Sequence, residues 1–153
     1  IANGLIAKPT LWTFAFFNRL KGEPVYRSEN AVLVKNRDGS YEGVLWNLCS
    51  EGDTPLDVEI ALPEPGEYTM LLSTVDEDCC NPLKVWHDMG EPDSLDANAL
   101  GFLRDAGKPQ ITSRVANGGE VQLTLGPNAV VYVKMSPYAP TEEYGYDYRW
   151  YIR

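Results

Sequence analysis

The sequence predicts a mainly β protein, a two-sheet antiparallel β-sandwich of the immunoglobulin-like kind with an N-terminal helix and a short helical insertion. Its 153 residues have the usual size of one domain, and 44% of them are apolar, which is enough for a core. Thirteen glycines and eleven prolines mark frequent turns, which favour short strands. Most segments between the turns alternate apolar and polar residues, the period of a half-buried strand.

The first predicted element is a helix over residues 8–21. Pro9 suits the first helical position, and Gly22 can supply a left-handed residue that ends the helix. The apolar residues cover more than one stripe of this helix. We therefore expect it to be buried on more than one side, against its own domain and against something else.

Strands are predicted where the period is two, and the Asp38–Gly39 step is typical of a hairpin turn. Residues 76–109 interrupt this pattern. They predict a short helix at Pro82–Met89 and a second helix capped by Asp93 or Ser94. The second helix would have Leu95, Ala99, Phe102, Leu103 and Ala106 on one face. The predicted strands are Val25–Tyr26, Ala31–Lys35, Tyr41–Leu48, Leu56–Leu62, Tyr68–Val75, Ile111–Val115, Glu120–Leu125 and Ala129–Met135.

The net charge and the cysteine content limit the classes of partner and the cellular compartment that we expect. A net charge of −9 disfavours nucleic acid, and no apolar run is long enough for a membrane span. Cys49, Cys79 and Cys80 are an odd set with a vicinal pair, which favours reduced thiols in a cytoplasmic protein. A bridge from Cys49 to one of the pair is the alternative, and secretion stays open because Ile1 looks like a cut inside a longer protein.

Catalytic and metal motifs are weak. His87 is the single histidine and has no flanking nucleophile motif, so a structural, hydrogen-bonded histidine is the favoured interpretation. Cys79 and Cys80 lack the usual spacing of metal ligands, so we expect no metal site. The acidic runs at 76–78 and 142–143 are typical of solvated faces, and no phosphate-binding or dinucleotide-binding glycine loop is present, so we expect no cofactor.

The tail over residues 137–153 is rich in aromatic side chains. Tyr144, Tyr146, Tyr148 and Trp150 alternate, so an extended tail would have one aromatic face. Such a face suits either contact with a sugar or docking as an arm on this domain or a neighbour. Docking is the favoured interpretation, because an undocked tail would fray.

Several segments together resemble glycoside hydrolase family 39. Residues 7–20 resemble the Lys-Pro-aromatic helix near the end of its catalytic barrel, and Val44–Asn47 resembles the leucine-tryptophan-asparagine strand of its accessory sandwich. Residues 76–92 are similar to its insertion, where an acidic stretch and an asparagine precede a Trp-x-x-Met-Gly-x-Pro segment. The resemblance spans about residues 5–136; Cys79, Cys80 and the tail depart from it.

The resemblance implies a division of the chain. Residues 1–22 would be the terminal helix of a missing catalytic barrel, 23–136 the β-sandwich with an insertion at 79–107, and 137–153 the aromatic tail. Members of family 39 resemble retaining β-xylosidases and α-L-iduronidases. Their two catalytic glutamates lie in the barrel, and the acid/base glutamate follows an asparagine. This chain has no Asn-Glu step, so no catalytic residue is carried over. The residues expected to face the barrel are Trp12, Phe14, Phe16 and Phe17.

The resulting hypothesis is a non-catalytic accessory domain of a β-xylosidase-like enzyme that degrades xylan or xylo-oligosaccharides. It would brace the barrel and line the substrate entrance with a loop containing Asn81, Trp86 and His87. The expected partner is the barrel, and an oligosaccharide or a second copy is a further candidate. The alternatives are a carbohydrate-binding module that uses the tail aromatics and, ranked last, a stand-alone glycosidase.

Overall fold

The computed structural model describes residues 6–49 and 54–139. The helices are α1 (Pro9–Arg19), α2 (Pro82–Asp88) and α3 (Ala97–Ala106). The strands are β1 (Glu23–Arg27), β2 (Ala31–Lys35), β3 (Tyr41–Trp46), β4 (Leu56–Ala61), β5 (Tyr68–Val75), β6 (Gln110–Ala116), β7 (Glu120–Leu125) and β8 (Val130–Pro137).

The strands form two antiparallel sheets of unequal size. The larger sheet has the order β1-β2-β3-β8-β5-β6, and the smaller sheet pairs β4 with β7. Each paired strand runs antiparallel to its neighbour. This arrangement confirms the predicted mainly β, two-sheet sandwich.

The main core lies between the two sheets. In β4 and β7 the residues that face the larger sheet alternate with exposed polar ones, as the period of two predicts. From the larger sheet, β3 and β8 contribute the most deeply buried side chains. The core includes Leu33, Tyr41, Leu45, Ile60, Met70, Val121, Leu125, Val133 and Met135.

A second core lies on the opposite face of the larger sheet, beneath α1. Phe16 is fully buried there against Val44, Val75, Cys80 and Tyr132. The centre of the larger sheet is therefore covered on both faces. This explains why β3 and β8 are buried at consecutive positions instead of alternating.

Two local details differ from the sequence-based expectation. Helix α1 ends at Arg19 with Leu20 extended, and Gly22 does not have a positive φ, so it is not a left-handed cap. Helix α3 is capped by Asp96, which accepts a hydrogen bond from the Ala99 N–H at 2.7 Å, and not by Asp93 or Ser94. Phe102 is exposed and does not share the buried face of α3 with Leu103.

Gly22 is required by a close approach. A Cβ at this position would collide with the backbone carbonyl of Lys35. We expect Gly22→Ala to lower the free energy of unfolding by about 1–3 kcal/mol, because the obstacle is backbone and cannot rotate away. Urea denaturation measures this change. The matched control is Gly101→Ala inside α3, where a Cβ meets nothing within 4 Å.

The control should raise the stability by about 0.5–1 kcal/mol, since alanine loses less backbone entropy than glycine in a helix. Equal effects of the two substitutions would mean that the close contact at Gly22 carries no free energy.

Candidate functional site

Helices α2 and α3 pack against each other and, together with the start of α1, enclose an apolar cleft. The cleft has a volume of about 460 Å³. Its walls come from the first residues of α1, from α2 and from α3, and they are almost entirely hydrocarbon. They include Ile6, Pro9, Pro82, Leu83, Trp86 and Leu103. Two of the three side chains predicted for a substrate-entrance loop, Asn81 and Trp86, line this cleft.

Asn81 begins helix α2. Its side-chain oxygen accepts a hydrogen bond from the Lys84 N–H at 3.2 Å, and its amide nitrogen donates to the Glu77 carbonyl at 2.8 Å. Pro82 follows at the first helical position, where proline is favoured, so Asn81 and Pro82 together mark the start of α2. Both groups of the Asn81 amide are thus used to join the acidic loop to α2.

Trp86 fixes the turn that follows α2. The Glu91 N–H donates to the Trp86 carbonyl at 3.1 Å, and Gly90 has a φ of +85°, the arrangement of a Schellman helix end. The Trp86 indole N–H donates to the Pro92 carbonyl at 3.3 Å. The Trp-x-x-Met-Gly-x-Pro segment is therefore a rigid helix end that holds the indole at the cleft.

His87 lies beside this turn and faces away from the cleft. Its Nδ1 is 2.6 Å from Glu91 Oε1, both side chains are at least half exposed, and the ring contacts the Trp86 indole. In the described part of the chain His87 makes no hydrogen bond to a serine, threonine or cysteine, so its contacts are those of a surface hydrogen-bonded pair. Across residues 6–49 and 54–139, no three His, Cys, Asp or Glu side chains are grouped as metal ligands.

The four aromatic residues predicted to face the barrel point in different directions. Phe16 is 0% exposed and stacks on Tyr132 at 5.5 Å, so the expectation that it faces a partner is wrong. It is covered by this chain's own sheet. Trp12 is half-buried, and its indole N–H donates to the Gly107 carbonyl at 2.6 Å, which ties α1 to the end of α3.

Phe14 and Phe17 lie on the outer side of α1. Phe14 is 76% exposed, and the Phe17 ring contacts Trp46 at 5.7 Å while keeping an open edge. Leu48 is 82% exposed and lines, with Phe17 and Trp46, a shallow apolar groove of about 370 Å³. We call the exposed side chains Leu11, Phe14, Phe17 and Leu48 the α1 patch.

Asn47 is a structural centre that the sequence pattern alone does not single out. Its amide nitrogen lies 2.9 Å from the Thr54 carbonyl, 3.1 Å from the Gly126 carbonyl and 3.4 Å from the Leu125 carbonyl. These contacts join the end of β3 to the loop before β4 and to the β7–β8 turn. The polar residue that ends an apolar strand in Leu45–Trp46–Asn47 was the available signal.

The cysteines are free thiols, and one of them is shielded. Burial raises the pKa of the Cys80 thiol to about 11, and its Sγ lies 3.2 Å from the Gly107 carbonyl. Burial and then the Asp76 carboxylate raise the pKa of Cys79 as well. Both shifts reduce the thiolate fraction and hence reactivity at neutral pH.

We expect Cys80 to be nearly inert to alkylation in the folded protein. At pH 8 a thiol with this pKa is about 0.1% thiolate, so labelling should be on the order of a hundredfold slower than in urea. Iodoacetamide labelling followed by mass spectrometry measures the rate, and a Cys79→Ser background separates the two neighbours. Equal rates in the folded and urea-unfolded chain would contradict the burial of Cys80.

Tyr144, Tyr146, Tyr148 and Trp150, predicted as a sugar or interface face, lie outside the described residues. Within the described ranges, no helix combines the length and hydropathy needed to span a bilayer.

Comparison with known proteins relates both sequence and fold to one family. The family described as "Glycosyl hydrolases family 39" matches residues 1–122. A β-xylosidase from Geobacillus stearothermophilus is 33% identical over 124 residues, which cover 78% of this chain and 25% of that protein. The chain thus spans about a quarter of the length of this relative.

Two solved structures share the fold. The GH39 enzyme from Xanthomonas axonopodis pv. citri superposes with a TM-score of 0.70 at 20% identity, over 87% of this chain and 31% of that one. A monomeric β-xylosidase from Caulobacter crescentus CB15 superposes with a TM-score of 0.71 at 21% identity, over 88% of this chain and 31% of that one. Because the family match covers most of the sequence, the chain belongs to glycosyl hydrolase family 39.

Proposed function

We propose that the chain is the non-catalytic β-sandwich of a family 39 glycoside hydrolase that acts on xylo-oligosaccharides, and that its partner is a separate catalytic barrel. The observation that carries the proposal is the coverage. The family match extends over residues 1–122, but the chain spans only a quarter of the β-xylosidase from Geobacillus stearothermophilus. Three quarters of that relative therefore have no counterpart here.

One carboxylate of the sandwich, Asp38, does not have the properties of a general acid. Glycoside hydrolysis needs an acid with a raised pKa close to a second carboxylate. The pKa of Asp38 moves in the opposite direction, because the Ser40 hydroxyl and the Ser40 N–H donate hydrogen bonds to it. Asp38 lies in the β2–β3 hairpin turn and does not line the cleft at α2.

The α1 patch is the proposed bracing surface for the barrel. It is apolar and continuous with the groove beside Trp46. Single exposed apolar residues are common, but a cluster of them usually marks an interface. Phe14 and Phe17 keep the role that the sequence suggested, and Trp12 and Phe16 act beneath them to hold α1 on the sandwich.

The rigid turn after α2 is the proposed element at the substrate entrance. The Schellman end and the Trp86–Pro92 hydrogen bond fix its shape, as a loop that lines a binding cleft requires. The apolar cleft opens between this turn and the first residues of α1. In this arrangement Trp86 offers one edge to the cleft, while His87 and Glu91 face solvent.

Association with the barrel tests the bracing surface. The barrel of the parent protein, produced separately, should bind this chain in analytical ultracentrifugation. Phe14→Asp should weaken the complex at least about tenfold, since a charge at the centre of an apolar interface is desolvated. Tyr26→Asp on β1, an exposed aromatic that is not part of the α1 patch, is the matched control and should leave the binding unchanged.

An unchanged affinity of the Phe14→Asp variant would remove the α1 patch from the interface. Calorimetry with xylo-oligosaccharides addresses the carbohydrate-binding alternative. We expect no heat of binding from the chain alone. Heat that disappears in a Trp150→Ala variant would instead favour a binding module that uses the tail.

We also propose that the protein is cytoplasmic, because its three cysteines are free thiols and thiols stay reduced in that compartment.

A further inference from the structure

The connection between β6 and β7 joins the two sheets of the sandwich. It consists of Asn117, Gly118 and Gly119, and it lies between Ala116 at the end of β6 and Glu120 at the start of β7. Asn117 and Gly118 are exposed, whereas Gly119 is buried. The two glycines have φ values of +83° and +73°, which residues with a Cβ rarely adopt. The chain therefore carries an Asn-Gly step in an exposed turn between its sheets.

The side chain of Asn117 differs from most other asparagine side chains of this protein. The Asn36 amide donates to Ser40 Oγ at 3.1 Å, and the Asn128 amide donates to Glu77 Oε1 at 2.8 Å. Hydrogen bonds also hold the side chains of Asn18, Asn30, Asn47 and Asn81. Within the described chain, no hydrogen bond holds the Asn117 amide, so its carbonyl carbon is free to turn toward the backbone that follows.

The backbone nitrogen after Asn117 is equally accessible. The Gly118 N–H donates to no group in the described part of the protein. Gly118 has no Cβ, and no described atom lies within 4 Å of the position that a Cβ would take, so this nitrogen is unshielded on that side. An open cleft of about 370 Å³ borders Asn117, with Arg114 and Gln122 among its lining residues. Water therefore reaches both the amide and the nitrogen that follows it.

Asn98 shows that an exposed asparagine with a free side chain does not by itself have this arrangement. It lies within α3 and is followed by Ala99, whose N–H donates to Asp96 Oδ1 at 2.7 Å. The nitrogen after Asn98 is thus already occupied by a hydrogen bond and belongs to a residue with a Cβ. Among the described asparagines, Asn117 alone combines a free amide, a free N–H on the next residue and a glycine at that position.

We propose that the Asn117–Gly118 step is a site of spontaneous deamidation, at which Asn117 is converted to aspartate and isoaspartate. The Gly118 nitrogen loses its proton to water and attacks Cγ of Asn117, an intramolecular reaction between groups that are already adjacent. The new N–C bond closes a succinimide ring, the Cγ–Nδ2 bond breaks, and ammonia leaves with a proton from water. A water molecule then opens the ring at either of its two carbonyls. Overall, one amide and one water give one carboxylate and one ammonium ion, so the reaction needs no oxidant, reductant or further reactant.

The two products differ in their effect on the backbone. Aspartate keeps the length of the chain, but isoaspartate continues it through Cγ and adds one backbone atom before Gly118. The connection is held on both sides, because Ala116 pairs with Tyr68 of β5 and the Gly119 carbonyl accepts a hydrogen bond from the Leu62 N–H at 2.7 Å. Since only the Asn-Gly step separates these two held points, isoaspartate should displace one of them and lower the free energy of unfolding.

Timed incubation of the 153-residue chain at mildly alkaline pH, followed by peptide mapping with mass spectrometry, tests the site. We expect Asn117 to deamidate at least about tenfold faster than Asn36 and Asn98, because its amide and the next nitrogen are both free and no Cβ hinders the attack. Both aspartate and isoaspartate should appear at position 117. Each event changes the net charge from −9 to −10, which ion-exchange chromatography separates.

Two variants separate the chemistry from its structural effect. Asn117→Gln keeps an amide, but its longer side chain closes a larger and less favourable ring, so the acidic form that arises at this position should disappear. Asn117→Asp has the charge of the product with an unaltered backbone, and its urea midpoint should equal that of the parent chain. The purified isoaspartate form should unfold at a lower urea concentration than Asn117→Asp. Equal midpoints would contradict the expected strain between Ala116 and Gly119.

Other results would overturn the deamidation site itself. A rate at Asn117 no higher than that at Asn36 in the folded chain would mean that the Gly118 nitrogen does not reach the amide. Aspartate without isoaspartate would mean direct hydrolysis by water, with no attack by the backbone. An acidic form that accumulates as fast in the Asn117→Gln variant would assign the change to another asparagine, such as Asn3 in the second Asn-Gly step of the sequence.

Discussion

Replacement of Phe16 by alanine is expected to lower the free energy of unfolding by about 3–5 kcal/mol. The ring is fully buried, stacks on Tyr132 at 5.5 Å and lies with Val44 and Val75 in the core under α1. The Arg19 guanidinium lies 5.6 Å from the centre of the Phe16 ring and 5.0 Å from that of Tyr132. Removing the ring therefore leaves a cavity and also loses a cation–π contact.

Phe14→Ala is the matched control on the same helix. Its ring is 76% exposed, so we expect a change of no more than about 0.5 kcal/mol. Guanidinium-induced unfolding of both variants, followed by far-ultraviolet circular dichroism, gives the two values. Similar losses for Phe14→Ala and Phe16→Ala would mean that α1 does not pack on the sheet through Phe16.

Replacement of Asn47 by alanine is expected to cost about 2–3 kcal/mol of unfolding free energy. The side chain is 8% exposed, and its amide satisfies the carbonyls of Thr54 and Gly126 and approaches that of Leu125. Without it the Thr54 and Gly126 carbonyls lose their amide donor, although Gly126 keeps the Ala129 N–H at 3.3 Å, and the loop before β4 loses its link to the β7–β8 turn. The cost is that of removing a buried amide that joins three backbone carbonyls.

Asn117→Ala, in the exposed β6–β7 turn, is the control for a general effect of removing an asparagine, and we expect it to be within about 0.5 kcal/mol of the parent chain. Urea titration measures both variants. A loss for Asn47→Ala as small as that for Asn117→Ala would show that water replaces the Asn47 contacts at no cost.

The strands could be predicted because their information is local. In β4 the alternation of Leu56, Val58 and Ile60 with polar residues matches the burial, and the register with β7 follows it over six pairs. The division of the strands into six and two could not be predicted. It depends on pairings between strands far apart in sequence, such as β3 with β8 and β5 with β8.

The orientation of α1 could not be predicted from the sequence, for a related reason. Phe14, Phe16 and Phe17 are equally apolar, so no single stripe of the helix stands out. Which ring is buried depends on where Tyr132 emerges from β8, more than a hundred residues later. The end of α2 at Asp88, in contrast, carries a local signal in the sequence, because Gly90 follows the helix and Pro92 lies just beyond it.

In the candidate site, too, some features could be predicted from the sequence and others depend on distant residues. Asn81, Trp86 and His87 were selected as one loop, and the structure brings Asn81 and Trp86 to the cleft while His87 pairs with Glu91 outside it. Trp86 and His87 are consecutive, so their side chains point about 100° apart around the short helix α2. The sequence alone gives no apolar stripe that would show which of the two faces the cleft. Asn47 was missed because its partners Leu125 and Gly126 lie 78 and 79 residues away.

The central claim is that this sandwich does no chemistry without a catalytic barrel. The most direct measurement is the release of nitrophenol from an aryl β-xyloside by the purified 153-residue chain, compared with a longer family 39 protein that includes a catalytic barrel. We expect no release by the chain alone and turnover by a longer protein that carries an Asn-Glu step in a barrel. Turnover by the chain alone, abolished by a substitution of one of its own carboxylates, would contradict the account.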